Sequence, residues 1–358
     1  MSNSIGTMFR VMTFGESHGV AVGCVIDGMP AGMALDAEDI NVELRRRRPG
    51  QSAFTTPRKE ADTAAILSGV FHGKTTGTPI AVLIQNGDAH STDYEALKDL
   101  YRPSHADFTY WQKYGVRDWR GGGRASARET AARVAAGAVA QKCLRDVAGM
   151  EFLSHAVAVG DVAHNIDVRD FATLTRSTIE QSSIRCPYPE GDAMEAAIRR
   201  AAQEGDSVGC VVCGLVTNVP AGLGEPMFDK LSASLARAMF TINAVKGFDL
   251  GNGFAAAALR GSENNDAFIS KDGSVVTEHN RNGGILGGIS TGEPIYFRVA
   301  FKPTPTIAKD QQTVDVHGNP VILRASGRHD PCLAARAVPV VDAMAAITLM
   351  DLFMTKKG

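Results

Sequence analysis

Blocks of apolar residues alternate with polar ones along this chain, in periods that predict a mixed α and β protein. Residues 9–14 and 20–27 read as strands, and Gly15, Glu16, Ser17, His18 and Gly19 lie between them. That pattern predicts a hairpin with its polar groups at the tip. Asp36 can cap a helix that ends in Arg45, Arg46, Arg47 and Arg48 before Pro49-Gly50. Residues 80–85 predict a buried strand running into the turn Asn86-Gly87-Asp88. A long helix is predicted from 127 to about 147. Its small residues (Ala131, Ala132, Ala135, Ala136, Gly137, Ala138 and Ala140) cover nearly every face, which places it in the middle of the fold. Strands are predicted at 157–162 and 208–219, flanking a helix at 192–203, and a further helix at 228–239. Residues 262–284 read as a long polar loop and 294–300 as a strand. A last helix from about 340 to 355 turns Ala343, Ala346, Ile347 and Met350 inward. Repeats and linkers are lacking, so a single domain is expected.

Composition narrows the class. Of 358 residues, 44% are apolar and 21% charged, as in ordinary globular enzymes. A formal charge of −2 argues against nucleic acid as a partner, so the arginine clusters act locally. Six irregularly spaced cysteines make no disulfide framework. The opening residues carry no secretory pattern, and no apolar run reaches bilayer length. A cytoplasmic protein without a membrane partner is expected.

The chemistry concentrates in residues 114–130. Gly121, Gly122 and Gly123 allow a sharp turn and close approach of the backbone to a ligand. Arg117, Arg120, Arg124 and Arg128 surround them, and Ser126 and Thr130 supply hydroxyls where the long helix begins. A glycine loop opening into a helix N-terminus favours phosphate. A solvated basic loop is the plainer alternative, but it does not explain three glycines beside Trp119 and four arginines. The run Arg45 to Arg48 can complement the helix dipole, although four cations exceed that need; a polyanion-binding role stands equally open. His105 lies among small and polar residues after Pro103, a place suited to a titratable group.

Other motifs lose on context. Gly15-Glu-Ser17-His-Gly19 and Gly288-Ile-Ser290-Thr-Gly292 both fit a hydrolase nucleophile elbow, but a strand follows the first where a helix is required. Cys210-Val-Val-Cys213 sits in an alternating strand without a second pair, so core packing is expected and metal ligands are not. Three loop histidines (His18, His105 and His329), Asp330 beside the last, and several anion elements indicate proton transfer on a small polyanionic substrate. A phosphorylated cofactor would suit the same elements.

Three ordered motifs resemble chorismate synthase. They are Gly15-Glu-Ser17-His18-Gly19 running to Pro30, Gly123-Arg-Ala-Ser126-Ala-Arg128-Glu-Thr130, and Arg328-His329-Asp330-Pro-Cys332 running to Met344. Further landmarks between them, Arg102 to Asp107, Asn243 to Gly247 and Lys302-Pro303-Thr304 among others, extend the likeness over almost the whole chain. The resemblance implies an α+β fold, a β-α-β sandwich with central long helices between two antiparallel sheets. It implies a lyase that converts 5-enolpyruvylshikimate 3-phosphate to chorismate and phosphate by 1,4-anti elimination. Reduced FMN is required without net oxidation, in a homo-oligomer, usually a tetramer.

The likeness also assigns residues. His18 matches the acid near the departing phosphate, His105 the histidine beside the flavin, and Asp330 with Ser17 the pair that helps relay the ring proton. Arg124, Ala125, Ser126, Asn243, Ala244, Gly287, Lys302, Pro303, Thr304, Pro305, Thr306 and Arg328 fall at flavin-contact positions. Arg47 matches a substrate-anion position, with Arg48 and Arg336 as neighbours. Three departures stand out: Ala53 for a usual arginine, with Arg58 a candidate substitute, Ala125 for a usual serine, and Asp342 for a usual glutamate. NADPH is expected to act only indirectly, through an external flavin reductase. An FMN-dependent oxidoreductase and a polyanion-binding module are the alternatives from other classes.

Overall fold

The computed structural model describes residues 3–51, 60–87, 94–95, 97–271, 273–324 and 330–356. β1 (Arg10–Gly15) and β2 (Ala21–Asp27) form the expected antiparallel hairpin. α1 (Ala37–Arg47) begins at Asp36, whose carboxylate accepts from the backbone N–H groups of Glu38 and Asp39. β3 (Ala64–Ile66) and β4 (Ile80–Gln85) complete an antiparallel sheet in the order Ser4–Ile5, β1, β2, β4, β3. After α2 (Asp107–Tyr114) comes the long helix α3 (Thr130–Ala148). The second half supplies β5 (His155–Val159), α4 (Gly191–Gln203), β6 (Cys210–Thr217), α5 (Leu231–Phe240), β7 (Val245–Leu250) and β8 (Ile295–Phe301). Its antiparallel sheet runs Val162–Ala163, β5, β6, β8, β7, and Glu151–Phe152 pairs with the end of β6. α6 (Ala334–Thr355) closes the chain.

α3 packs on β2 and β4 of the first sheet, α6 packs on β5 and β6 of the second, and the two helices pack on each other. The expected β-α-β sandwich results, with one apolar core running from Val22 and Val82 through Val139 and Val341 to Val212 and Phe297. Small residues make this possible. A Cβ on Gly137 would lie 2.3 Å from the Ala343 Cβ, so the helix axes approach as closely as they do only because that side chain is missing. All six cysteines are free and buried, as core packing requires.

Three expectations need correction. α6 starts six residues before the predicted 340, because Pro339 sits inside the helix and reads as a breaker. The Ala335 carbonyl that Pro339 cannot serve accepts instead from Arg185 Nε at 2.7 Å. At 22 residues α6 is long and apolar enough to cross a membrane, contrary to the sequence reading, but 78% of its most apolar window is buried within the fold. The predicted loop at 262–284 holds the hairpin Phe268–Lys271 with Ser274–Thr277. Its signal, two β-prone runs around Asp272-Gly273, was present.

Candidate active site

The two glycine-bounded turns meet. A Cβ on Gly121 would lie 2.3 Å from His18 Nδ1 and 2.9 Å from Ser17 Oγ, and one on Gly123 would meet the Glu16 carboxylate at 2.8 Å. Two of these glycines therefore admit the 16–18 turn, where the sequence had suggested a ligand; Gly122 faces the cavity. Ser17 is fully buried and its Oγ lies 3.0 Å from His18 Nδ1. The Tyr94 ring meets the imidazole edge-on, 5.0 Å between centroids.

Beside these turns a cavity of about 350 Å³ opens where the end of α1 meets the starts of α3 and α6. It is lined by His18, His105, Asp330, Ala125, Ser126, Asn243, Ala244, Lys302, Thr304, Pro305, Thr306, Arg47 and Arg336, all expected from sequence. Arg102, Arg128, Thr130, Tyr94 and Glu60 join them.

Arg47 is fully buried, and its Nη2 donates to Asp62 at 2.5 Å. The Asp62 carboxylate is shared with Arg128. Burial works to raise its pKa, but the two guanidiniums outweigh that and bring it down to about 2. Burial in turn lowers Arg47 to about 10, with Arg336 and Arg128 adding repulsion against the attraction of Asp62. Arg336 Nη1 donates to Asp330 Oδ2 at 2.5 Å. The Nε atoms of Arg47 and Arg336 are buried without a hydrogen-bond partner among the described residues. Such donors cost about 1–3 kcal/mol each unless something in the cavity accepts from them.

His105 Nδ1 lies 3.0 Å from Asp107 Oδ1. Asp107 also takes Arg102 Nε at 2.7 Å and Arg117 at 3.1 Å. Burial pulls the His105 pKa below its ordinary value, although the bond to Asp107 opposes this. Burial alone would raise the Asp107 carboxyl, yet Arg102 and His105 hold it far below the usual range. Lys302 Nζ donates to Ser104 O at 2.5 Å, and its pKa is lowered by burial and by Lys246. Strained backbone gathers here: Asp62, Ser104 and Ala244 have φ of +50°, +57° and +71°.

Several expected contacts fall elsewhere. Arg124 donates to Thr13 Oγ1 at 2.8 Å and to the Thr13 and Gly15 carbonyls, and lines a neighbouring cavity of about 700 Å³. Gly287 turns the Ile285–Leu286 and Ile289–Ser290 hairpin beside α5 and does not line the cavity. Arg48 is exposed at the non-helical cap beyond α1, and of the four arginines only Arg47 lines the cavity. Ser17 stands behind His18, and Pro303 is outside the lining. Asp342 is fully buried, taking Arg46 Nη1 and the Ser154 N–H at 3.0 Å each. Arg328, Ala53 and Arg58 lie outside the described residues. Asp62 was missed, since a lone aspartate in a polar stretch signals nothing until two arginines meet it.

The sandwich carries a cavity lined by buried cations, two imidazoles and a paired carboxylate, an arrangement of the kind found in enzyme active sites. The family model for chorismate synthase matches residues 9–354. Chorismate synthase of Christiangramia forsetii is 54% identical over 357 residues, covering 99% of this chain and 98% of that one. The Nostoc punctiforme chorismate synthase is 52% identical over 360 residues, covering 100% and 99%. A solved crystal structure of chorismate synthase superposes with a TM-score of 0.79 at 34% identity, over 99% of this chain and 94% of that chain. The chain belongs to the chorismate synthase family. Its activity is that of a chorismate-forming carbon–oxygen lyase in aromatic amino-acid biosynthesis.

Proposed function

We propose that this enzyme takes 5-enolpyruvylshikimate 3-phosphate to chorismate and phosphate by 1,4-anti elimination and requires reduced FMN. The observation that carries the reading is the pair of buried Nε donors of Arg47 and Arg336, without a partner among the described residues, in a cavity that both histidines line. The substrate brings a phosphate and two carboxylates to such donors. Each charge-assisted hydrogen bond contributes about 1.5–3 kcal/mol.

The lining also fits FMN. Ala125 and Ala244 leave room for a planar ring, while Lys302, Thr304 and Thr306 offer a cation and two hydroxyls to its phosphate. Reduced FMN, when bound, supplies electron density to the reacting ring and emerges unchanged. His18, its Nδ1 engaged by Ser17, gives a proton through Nε2 to the departing phosphate. His105, its Nδ1 turned to Asp107, presents Nε2 to the cavity; burial disfavours its charged form, and a proton taken up at Nε2 sets a cation against negative charge there. Asp330, held by Arg336, takes part in removing the ring proton, with Ser17 acting through the His18 imidazole that it engages. The likeness to the family supports a cytoplasmic homotetramer supplied by an external flavin reductase, with NADPH acting only through that reductase.

Phosphate release is the test. Release with reduced FMN, none with oxidised FMN, and no stoichiometric loss of reductant is the expected result. One reductant lost per turnover supports the FMN-dependent oxidoreductase instead.

A further inference from the structure

We propose that Arg185 is a positioning residue that fixes the spacing of Arg47 and Arg336, and so tunes the enzyme for its polyanionic substrate. Its guanidinium joins the two peptide groups that carry those arginines. Nη2 donates to the Arg46 carbonyl at 2.6 Å, one residue before Arg47. Nε donates to the Ala335 carbonyl at 2.7 Å, one residue before Arg336. Nη1 pairs with Glu180, which also accepts from Arg46 Nε at 2.6 Å. α1 and α6 are thus tied together at the two peptides that carry Arg47 and Arg336, whose Nε donors have no partner among the described residues.

Three features mark a built device. Arg185 is 4% exposed, and its backbone is anchored to the second sheet by the Ala156 N–H donating to its carbonyl at 2.9 Å. Its φ is +62°, a conformation unfavourable for arginine that the surroundings must hold in place. The Ala335 carbonyl lacks its helical donor because Pro339, four residues on, has no N–H, and Arg185 Nε supplies a donor in its place.

The inference rests on the reading of Arg47 and Arg336 as substrate-binding arginines, so the experiment includes a control for it. Arg185→Lys, Pro339→Ala, the double variant and Arg336→Lys are assayed with 5-enolpyruvylshikimate 3-phosphate and reduced FMN, alongside thermal unfolding. Arg185→Lys keeps the charge but cannot span both carbonyls. It is expected to raise KM by about 10- to 100-fold with kcat little changed, the size of effect that ångström misplacement produces. In Pro339→Ala the Ala335 carbonyl regains a helical donor, so most of the stability lost in Arg185→Lys returns in the double variant while KM stays high. Recovery of KM together with stability overturns the proposal and leaves Arg185 as a cap for the proline site. Unchanged KM in a folded Arg185→Lys overturns it as well. If Arg336→Lys also leaves KM unchanged, the substrate-binding reading is what fails.

Discussion

Asp62 gives the sharpest test of the cavity's electrostatics. It is a buried carboxylate compensating two buried arginines that line the site. Asp62→Asn keeps the shape and tolerates the φ of +50°, while it removes the charge and turns one of the two acceptor oxygens into an amide NH2 facing a guanidinium. Holding the carboxyl at about 2 against an ordinary 3.8 corresponds to about 2 kcal/mol of stability. Breaking a buried ion pair by removing one partner costs about 3–5 kcal/mol. A loss of about 2–5 kcal/mol is therefore expected. With about 2.1 cal/mol/K per residue, the unfolding entropy of 358 residues is about 0.75 kcal/mol/K, so the melting temperature should fall by about 3–7 °C at pH 7. The pH dependence has a definite sign. The folded pKa is depressed, so this stability is fully present above the unfolded value of 3.8 and is lost as pH falls towards 2. Differential scanning calorimetry of parent and variant measures both. A variant melting within about 1 °C of the parent at pH 7 refutes the claim that Asp62 compensates Arg47 and Arg128.

Two further outcomes are expected. His18→Ala and His105→Ala should each lower turnover by about 10²- to 10⁴-fold with reduced FMN in excess, while circular dichroism and melting stay near the parent; near-parental turnover removes the assignment. Gly137→Ala should destabilise, because overpacking costs about 1–3 kcal/mol and exceeds the gain of about 1 kcal/mol that alanine brings to a helix; a raised melting temperature would show that the α3–α6 crossing can relax.

The element pattern was legible because it is local. Short apolar runs marked β1, β2, β4 and β8, and the capping aspartate marked α1. The alanine-rich stretch foretold a central helix, since only small residues on every face permit close packing on every side. His18, His105 and the arginine motifs stood out as chemistry. The limits were set by partners distant in sequence. Pro339 reads as the start of α6 until Arg185, 150 residues away from Ala335, takes up the freed carbonyl. Four consecutive arginines read alike until the fold brings Arg47 alone of them to the cavity and pairs it with Asp62. Glycines that suggested a ligand prove to make room for Ser17 and His18. Backbone propensity and side-chain period are properties of neighbours along the chain, so the sequence alone determined the elements and the inventory of reactive groups. Which charges face the cavity, and which are spent on one another, depends on burial and ion pairing between segments that meet only in the folded state.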